Sequence, residues 1–287
     1  MKTQRRRLRE LIQTGIVQMP GAFNALTARA IERAGFEAVY VSGAGLSNAV
    51  YGLPDVGLVT LSEAVSHARG ICAAVDVPVI VDGDTGFGEA MNAARTVSEM
   101  EVAGVAGIHL EDQVLPKRCG HLDGKELISG DAMVSKLRAA VAARSDSDFL
   151  IIARTDARGV TSFDDAVDRA KRYLDAGADA IFPEAMQNAE ELARFADCVK
   201  APLLANMTEF GKTPILPLAK LRDMGYRMVI YPQTALRVAF KAIVEMLADL
   251  RRCGDQSAWI DRMQTRAELY DLLDYDGLNA IDSAAMK

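Results

Sequence analysis

The sequence predicts a (β/α)8 TIM barrel with an additional C-terminal helical segment, and two patterns in its 287 residues support this fold class. Four segments repeat one order of features: a helix end, a glycine, a short apolar strand and a strand-end residue. Four further apolar runs alternate with them, and helix-period stretches such as NALTARAIERA separate the strands. Eight strands alternating with helices over roughly 250 residues are typical of this barrel. An open, doubly wound sheet would usually carry a glycine-rich nucleotide turn after its first strand, and MPGAFNAL is not such a turn.

The repeated segments place a glycine between each helix and the strand that follows it. They read ERAGFEAVYVS, EVAGVAGIHLE, LDAGADAIFPE and RDMGYRMVIYP, with glycines Gly35, Gly104, Gly177 and Gly225. Glycine is favoured in the left-handed conformation that closes a helix, so we expect a helix to end at each one. Seven residues further on, the strand ends fall at Ser42, Glu111, Glu184 and Pro232.

The other strands are nearly unbroken apolar runs, which indicates burial on both faces of a parallel sheet. They are IVQMP (16–20), VPVIVD (77–82), FLIIARTD (149–156) and APLLANM (201–207). We assign residues 1–254 to the barrel and residues 255–287 to a C-terminal helical extension of the same domain. The extension exceeds what eight βα units need, so it either caps its own barrel or packs on a neighbouring subunit.

The composition argues against several classes of protein. A net charge of −6 gives no basic footprint for nucleic acid. No apolar run approaches the ~18 residues of a membrane span, and the basic start MKTQRRRLRELIQTG lacks the apolar core of a signal peptide. The four cysteines lie far apart without a CxxC pair, which favours a reducing compartment, so we expect a cytoplasmic protein. RRRLRELI is predicted to be the solvated face of a first helix.

Polar side chains follow the apolar runs at the predicted strand ends. In a barrel these ends meet at one mouth, where the catalytic residues of this fold lie. Helix capping could explain a single aspartate, but caps prefer short side chains and do not explain an arginine or a glutamate. The residues at these ends are Tyr40, Ser42, Asp82, Asp84, Glu111, Asp112, Arg154, Asp156, Glu184, Asn206, Thr208 and Glu209.

The stretch VDGDTGFGEA predicts a metal site. Asp82 and Asp84 alternate at a strand end, and Glu111 ends the adjacent strand. Carboxylates without a soft donor suit Mg²⁺, or alternatively Mn²⁺, which shares its coordination with water and substrate. Asp55, in GLPDVGLVTLSE, is either a turn aspartate or the holder of a metal-bound water. His109 lies inside a strand pattern and is expected to be packed or hydrogen-bonded rather than a ligand.

The pentapeptide KRCGH places Cys119 and His121 beside Lys117 and Arg118, in a loop that covers residues 113–128. Neighbouring cations lower the pKa of a thiol and attract an anionic substrate. Cys119 could be a nucleophile paired with His121, or a general acid on a loop that closes over the site. We favour the general acid, because no third group obviously orients the imidazole.

Four motifs, in this order along the chain, resemble the isocitrate lyase/phosphoenolpyruvate mutase superfamily. They are VDGDTGFG, HLEDQVLPKRCGH, IIARTDA and LANMTEFGKTP, and the resemblance extends over essentially the whole chain. KRCGH together with DGDTGFG is specific for the carbon–carbon lyase branch. The resemblance implies Mg²⁺-dependent cleavage of 2-methylisocitrate into pyruvate and succinate. It also implies homotetramers in which subunits exchange a C-terminal helix.

The resemblance further implies roles for individual residues. The metal would be bound directly by Asp82 and supported, partly through waters, by Asp84, Asp55 and Glu111. The catalytic residues would be Cys119, Arg154, Tyr40 and Glu111. The substrate would contact Ser42, Gly43, Ala44, Lys117, Arg118, Gly120, His121, Arg154, Glu184, Asn206, Thr208 and Arg237. The base that removes the substrate hydroxyl proton is left unassigned.

Two departures from the family pattern leave the substrate open. Ala44 stands where many relatives have a glycine, and LDGK (122–125) follows KRCGH where many relatives have RPNK. Relatives that act on 2,3-dimethylmalate or oxaloacetate share the cysteine loop, so a lyase or hydrolase for these acids is the alternative. A barrel that binds a dicarboxylate without catalysis is a different class, which the combined presence of Asp82, Glu111, Cys119 and Arg154 disfavours.

Overall fold

The computed structural model describes residues 3–120, 122 and 124–286 of the chain. Eight short strands occur in these described residues, and all of them pair in parallel. They are β1 (Val17–Pro20), β2 (Val39–Val41), β3 (Val79–Asp82), β4 (Gly107–Glu111), β5 (Leu150–Thr155), β6 (Ala180–Pro183), β7 (Leu204–Asn206) and β8 (Met228–Tyr231). Each lies within a predicted segment, so the predicted strand positions are confirmed.

The strands close into one barrel. β2 to β6 pair in chain order, and β1, β8 and β7 pair as a second group. Single parallel bridges join the two groups, one between Gly21 and Tyr40 and one between Ile181 and Leu203. The first and last strands are hydrogen-bonded to each other, so the predicted barrel is confirmed and the open doubly wound sheet is excluded.

Helices surround the barrel and connect its strands. In the described residues they are α1 (Gln4–Thr14), α2 (Ala25–Arg33), α3 (Gly43–Tyr51), α4 (Leu61–Cys72), α5 (Ala90–Val102), α6 (Gly130–Ala143), α7 (Ala157–Val160), α8 (Phe163–Asp175), α9 (Ala189–Cys198), α10 (Leu218–Asp223), α11 (Thr234–Cys253), α12 (Arg266–Leu272) and α13 (Tyr275–Ala285), with a 3-10 turn at Ser257–Arg262. Their apolar faces pack on the outside of the strands in one large core. A second core, which includes Met19, Ile80 and Ile152, fills the barrel interior.

The four repeat glycines follow α2, α5, α8 and α10, as predicted. Their φ angles lie between +89° and +102°, in the left-handed region. A residue with a Cβ adopts this region only under strain, so glycine allows the chain to leave each helix and enter the next strand within a few residues. The glycine repeated in the sequence therefore corresponds to a repeated turn of the backbone between a helix and the next strand.

The first helix closes the N-terminal end of the barrel, which corrects the prediction that its basic face is merely solvated. Leu8 is 0% exposed and belongs to the core of the barrel interior. Arg5 donates to the backbone carbonyl of Val105 at 3.1 Å, and Arg9 donates to that of Asp148 at 3.1 Å. Carbonyls just before a strand lie outside the sheet ladder, and these guanidinium groups supply their hydrogen bonds.

The segment after α11 is helical, as predicted. α12 packs on α2 of the same chain, where Arg33 donates to Asp271 at 2.7 Å. Large apolar side chains on α11 and α13 are nevertheless exposed, among them Val238, Leu278 and Ile281. Among the described residues, no helix combines the length and apolarity that crossing a membrane requires.

Candidate active site

A cavity of about 690 Å³ opens at the carboxyl ends of the barrel strands. Most of the residues singled out from the sequence line its wall: Tyr40, Ser42, Ala44, Asp55, Asp82, Lys117, Arg118, Cys119, Gly120, Arg154, Glu184, Asn206, Thr208 and Arg237. Gly43, Asp84 and Glu111 contact lining residues from behind the wall. His121 lies outside the described residues.

Asp82, the last residue of β3, is held rigidly at the cavity wall by backbone amides. Its Oδ2 accepts a hydrogen bond from the Gly43 amide at 3.1 Å, and its Oδ1 accepts one from the Asp84 amide at 3.0 Å. Burial by itself would raise the pKa of Asp82, but the neighbouring imidazole and cationic side chains lower it to about 2. The carboxylate is therefore ionised near neutral pH.

Glu111 and Asp84 are buried carboxylates that a cation would stabilise. Burial raises the pKa of Glu111 well above its usual range and the pKa of Asp84 to about 6. Glu111 Oε1 is buried and has no hydrogen-bond partner within the described residues. A divalent ion nearby would favour the ionised forms, and an oxygen-only donor set suits Mg²⁺ or Mn²⁺. These residues therefore fit the predicted metal.

The carboxylates do not form a complete metal cage by themselves. In the part of the chain that the structure describes, no three His, Cys, Asp or Glu side chains are grouped so that they could hold a metal ion. An ion at Asp82 would take most of its coordination from water and substrate, as Mg²⁺ commonly does in enzymes. This is compatible with Asp84, Asp55 and Glu111 as supporting groups, and the assignment of ligands stays a prediction.

Lys117 lies among these acidic residues. It is 3% exposed; its Nζ is 2.7 Å from Asp84 Oδ1 and also contacts Asp55 Oδ1. Burial would lower the pKa of Lys117, but Asp84, Glu111 and Asp55 raise it well above the usual range. Asp55 is therefore linked to Asp84 through the ammonium group of Lys117. The two roles predicted for Asp55, a turn aspartate or the holder of a metal-bound water, do not include this contact.

Arg154 is held by carboxylates on several sides. Its Nε donates to Asp156 Oδ2 at 2.9 Å and lies 3.3 Å from Glu111 Oε2. Its Nη2 is 3.6 Å from Glu184 Oε2, and the guanidinium carbon lies 5.0 Å from the centre of the Phe182 ring. These contacts fix a planar cation at the cavity wall, where it can pair with a carboxylate of a ligand.

The N-terminus of α3 faces the same acidic wall. Ser42 caps this helix, because its hydroxyl accepts a hydrogen bond from the Gly45 amide at 3.3 Å. The Ser42 hydroxyl also accepts one from Gln233 Nε2 at 3.3 Å, which ties the helix start to the loop after β8. The amides and the positive end of the helix dipole favour an anion here, as the predicted carboxylate cradle at Ser42, Gly43 and Ala44 requires.

Cys119 lies in the loop between β4 and α6 and lines the same cavity as Asp82 and Arg154. It is partly exposed rather than packed in the core. A thiol at this place is compatible with a general acid carried over the site by its loop.

The rest of the cavity wall combines polar and apolar side chains. Thr208 is buried in its wall, and Asn206 donates to Glu184 Oε2 at 3.1 Å. Arg237 lies at the mouth rather than inside, with its Nε 3.6 Å from Glu209 Oε2 and its guanidinium carbon 5.1 Å from the centre of the Phe210 ring. The apolar side chains of Phe182, Ile230, Leu236 and Phe240 complete the lining.

Three side chains that the motifs did not single out also shape the site. Gln233 binds the Ser42 hydroxyl, and Gln113 and Lys125 bind the backbone of the cysteine loop. Lys125 is the last residue of LDGK, and a single lysine in a loop carries no periodic signal. Its burial, at 7% exposed, appears only in the folded chain.

Comparisons with known proteins agree with this architecture. Residues 8–251 match the sequence family described as phosphoenolpyruvate phosphomutase. A probable 2-methylisocitrate lyase (number 2) of Corynebacterium glutamicum is 57% identical, in an alignment that covers 93% of this chain and 87% of that protein. The 2-methylisocitrate lyase of Aeropyrum pernix is 54% identical, with 93% of this chain and 86% of that protein covered.

Solved structures are similar over the whole chain. A crystal structure of 2,3-dimethylmalate lyase superposes with a TM-score of 0.94 at 37% identity, covering 99% of this chain and 96% of that chain. A phosphonopyruvate hydrolase in complex with oxalate and Mg²⁺ has a TM-score of 0.89 at 31% identity, with 100% of both chains covered.

Proposed function

This chain belongs to the phosphoenolpyruvate mutase/isocitrate lyase superfamily, and from this premise we propose that it cleaves 2-methylisocitrate into pyruvate and succinate. The relatives named 2-methylisocitrate lyase support the substrate. The reaction type is carried by one observation: Cys119, Arg154 and Asp82 line the same cavity. A proton donor, a fixed cation and an acidic wall are the groups that cleavage of a carbon–carbon bond in a polycarboxylate needs.

We propose that Asp82, with Asp84, Asp55 and Glu111 in support, holds Mg²⁺, or alternatively Mn²⁺. When bound, the ion supplies Lewis-acid chemistry that acidifies the substrate hydroxyl. The buried Oε1 of Glu111, which has no hydrogen-bond partner among the described residues, and the raised pKa of Asp84 support this assignment.

The chain's own groups divide the remaining work. The Ser42 hydroxyl and the start of α3 at Ala44, both at the cavity wall, bind the carboxylate of the pyruvate half. Arg154 pairs with substrate oxygens, and Tyr40 lies beside the bond that breaks. As that carbon–carbon bond breaks, a base that is not assigned takes the proton of the substrate hydroxyl, and the hydroxyl oxygen becomes the carbonyl oxygen of pyruvate. The electron pair of the broken bond passes to the carbon of the succinate half, whose carboxylate carries the developing charge. Cys119 then donates the S–H proton to that carbon, which yields succinate and leaves a thiolate.

The cysteine loop also limits the access of water. Closure over the cavity keeps water from protonating the carbanion in competition with Cys119 and strengthens the interaction of Arg154 with the developing charge. Lys117 and Arg118, which line the cavity, add positive charge on the loop side.

A lyase for 2,3-dimethylmalate is the second candidate, favoured by the superposition on that enzyme at a TM-score of 0.94. The two substrates differ in the group carried by the cleaved half. Phe182, Ile230 and Leu236 give the cavity apolar wall for an alkyl group. The cleaved half carries a carboxymethyl group in 2-methylisocitrate and a methyl group in 2,3-dimethylmalate, so the two acids differ by a carboxylate, and the ratio of their kcat/KM values separates the two functions.

The experiment compares four acids with purified protein and Mg²⁺: 2-methylisocitrate, isocitrate, 2,3-dimethylmalate and oxaloacetate. Products are identified by mass, and kcat/KM is measured for each acid. We expect the highest value for 2-methylisocitrate, with pyruvate and succinate in equal amounts. The Cys119→Ser variant, purified in parallel, controls for contaminating enzymes. Faster turnover of another acid, or no cleavage of any, would contradict the substrate assignment.

We further propose that the protein is cytoplasmic and forms a homotetramer. In this assembly the C-terminal helical segment, residues 255–287, packs on a neighbouring subunit. The exposed apolar side chains of α11 and α13 support it, since such a face is stabilised by burial. The doubly substituted Leu278→Asp/Ile281→Asp chain should form smaller assemblies in light scattering. Met91→Asp, at a position 87% exposed on α5, is the matched control and should assemble normally. A monomeric unsubstituted chain would contradict the proposal.

A further inference from the structure

The loop that carries Cys119 has a fixed base. Gln113 and Leu127 form an antiparallel bridge where the loop leaves and rejoins the barrel. Next to this bridge, the Val114 amide donates to the Glu126 carbonyl at 2.8 Å. The position of the thiol therefore depends on what holds the tip of the loop.

Gln113 holds the backbone directly before Cys119. Its Nε2 donates to the Arg118 carbonyl and its Oε1 accepts from the Arg118 amide, both at 2.9 Å. The Gln113 side chain is buried, at 1% exposed. One side-chain amide thus makes the pair of hydrogen bonds that a neighbouring strand would make, and the Arg118 peptide groups cannot rotate without breaking them.

Lys125 holds the backbone directly after Cys119. Its Nζ donates to the Gly120 carbonyl and, at 2.7 Å, to Asp156 Oδ1. Asp156 is fully buried and also accepts a hydrogen bond from Arg154 Nε at 2.9 Å. Lys125 therefore ties the loop to the ion pair that fixes the catalytic arginine. Charge-assisted hydrogen bonds are strong in such a buried place.

Gly120 allows the loop to lie directly on this ion pair. A Cβ at this position would overlap Nη2 of Arg154 and come within 2.7 Å of Cγ of Glu184. Only a residue without a side chain fits between the loop and these groups unless they shift. The backbone around Cys119 is thus packed against Arg154.

We infer that Gln113 and Lys125 are positioning residues for Cys119, which they place beside Arg154 by holding the peptide groups on both sides of it. The inference rests on the proposed role of Cys119 as the proton donor. Both residues act through the thiol. Lys125 also binds Asp156, which in turn binds Arg154. The buried carboxylate of Asp156 therefore sets the position of the Cys119 thiol relative to the Arg154 guanidinium.

The experiment measures the alkylation rate of each cysteine by iodoacetamide in the full chain, with peptide mass spectrometry. Lys125→Met and Gln113→Leu should each raise the rate at Cys119 by about tenfold, because one charged or two neutral hydrogen bonds contribute roughly that factor to a local opening equilibrium. The exposed Cys253 is the internal reference and should react at an unchanged rate. Lys171→Met, on the exposed face of α8, is the matched control and should resemble the unsubstituted protein.

In the two test variants, kcat should fall severalfold and by more than KM rises, since neither residue contacts Ser42 or Asp82, the binding groups on the opposite side of the site. An unchanged rate at Cys119 would overturn the inference for that residue. So would an equal rise at Cys253, which indicates general loosening, or a normal kcat despite faster alkylation. Alkylation requires no substrate, so a wrong substrate assignment leaves it unaffected. Failure of the proposed chemistry would instead appear as normal turnover in Cys119→Ser.

Discussion

The hydroxyl of Tyr40 lies 2.8 Å from Nε2 of His109, inside the barrel. Tyr40 is 2% exposed and His109 is 0% exposed. Burial lowers the pKa of His109 to about 4 and raises the pKa of Tyr40 well above its usual range, so both groups are neutral near pH 7. The imidazole thus orients the hydroxyl of a predicted catalytic residue, and the expectation of a hydrogen-bonded strand histidine is confirmed.

Removing either partner of this pair should have the same effect on catalysis. Tyr40→Phe is expected to lower kcat by about tenfold or more, because the oriented hydroxyl is lost. His109→Leu should lower kcat similarly, and the double variant should be no slower than Tyr40→Phe. The measurement is a double-mutant cycle on kcat. Losses that multiply in the double variant would show that His109 does not act through Tyr40.

Substitution of the loop thiol should remove the proton donor without unfolding the barrel. Cys119→Ser is expected to lower kcat by roughly two or more orders of magnitude, since a hydroxyl is a much weaker acid than a thiol. Circular dichroism should be unchanged. Cys253→Ser, at an exposed position in the last turn of α11, is the control and should keep full activity. Turnover close to normal in Cys119→Ser would remove the thiol from the reaction.

Substitution of Asp82 should weaken metal binding and abolish the metal-dependent activity. Asp82→Asn is expected to weaken Mn²⁺ binding by at least about tenfold, because an ionised ligand is replaced by a neutral one. Binding is measured by paramagnetic resonance, and the rise in Tm that the ion causes should disappear as well. Asp131→Asn, whose carboxylate is 92% exposed on α6, is the control. Unaltered Mn²⁺ affinity in Asp82→Asn would contradict the ligand assignment.

A positive charge without the planar guanidinium group should not be sufficient for the function of Arg154. Arg154→Lys keeps a cation but loses the planar set of donors that contacts Asp156, Glu111 and Glu184. We expect kcat/KM to fall by about two orders of magnitude. Arg158→Lys is the matched control, because Arg158 makes paired hydrogen bonds to Glu191 outside the cavity. Equal activity of the two variants would show that the fork geometry of Arg154 is not used.

Low pH should reduce the free energy of unfolding, and protonation of Asp156 should account for part of the reduction. Burial would raise its pKa, but Arg154 and Lys125 lower it to about 2, below its usual value near 3.8. A carboxyl with a lowered folded-state pKa contributes stability that is present above about pH 4 and lost as the pH falls towards 2. The contribution should be roughly 2 kcal/mol. Urea unfolding at stepped pH measures it, and Asp156→Asn should lack this part of the pH dependence. An identical pH dependence would contradict the assignment.

The spacing of glycines and apolar runs was sufficient to predict the barrel. The strands are largely buried on both faces, and four of the helices end at a left-handed glycine before the next strand; both requirements are local. Strand ends in a parallel barrel share one mouth, so the residues at those ends could be predicted to meet before any coordinates were known. That is why Asp82, Arg154 and Glu184 were found from the sequence.

Contacts between distant loops were decided only by the tertiary structure. Lys117 meets Asp55 across 62 positions, and Lys125 meets Asp156 across 31. The sequence by itself determined which elements form and which of their ends converge, because periodicity and turn chemistry are short-range. The pairing of cations with carboxylates depends on how the loops after the strands pack over the mouth of the barrel. It also depends on burial, because a charge pair is strengthened only after folding has excluded water from it.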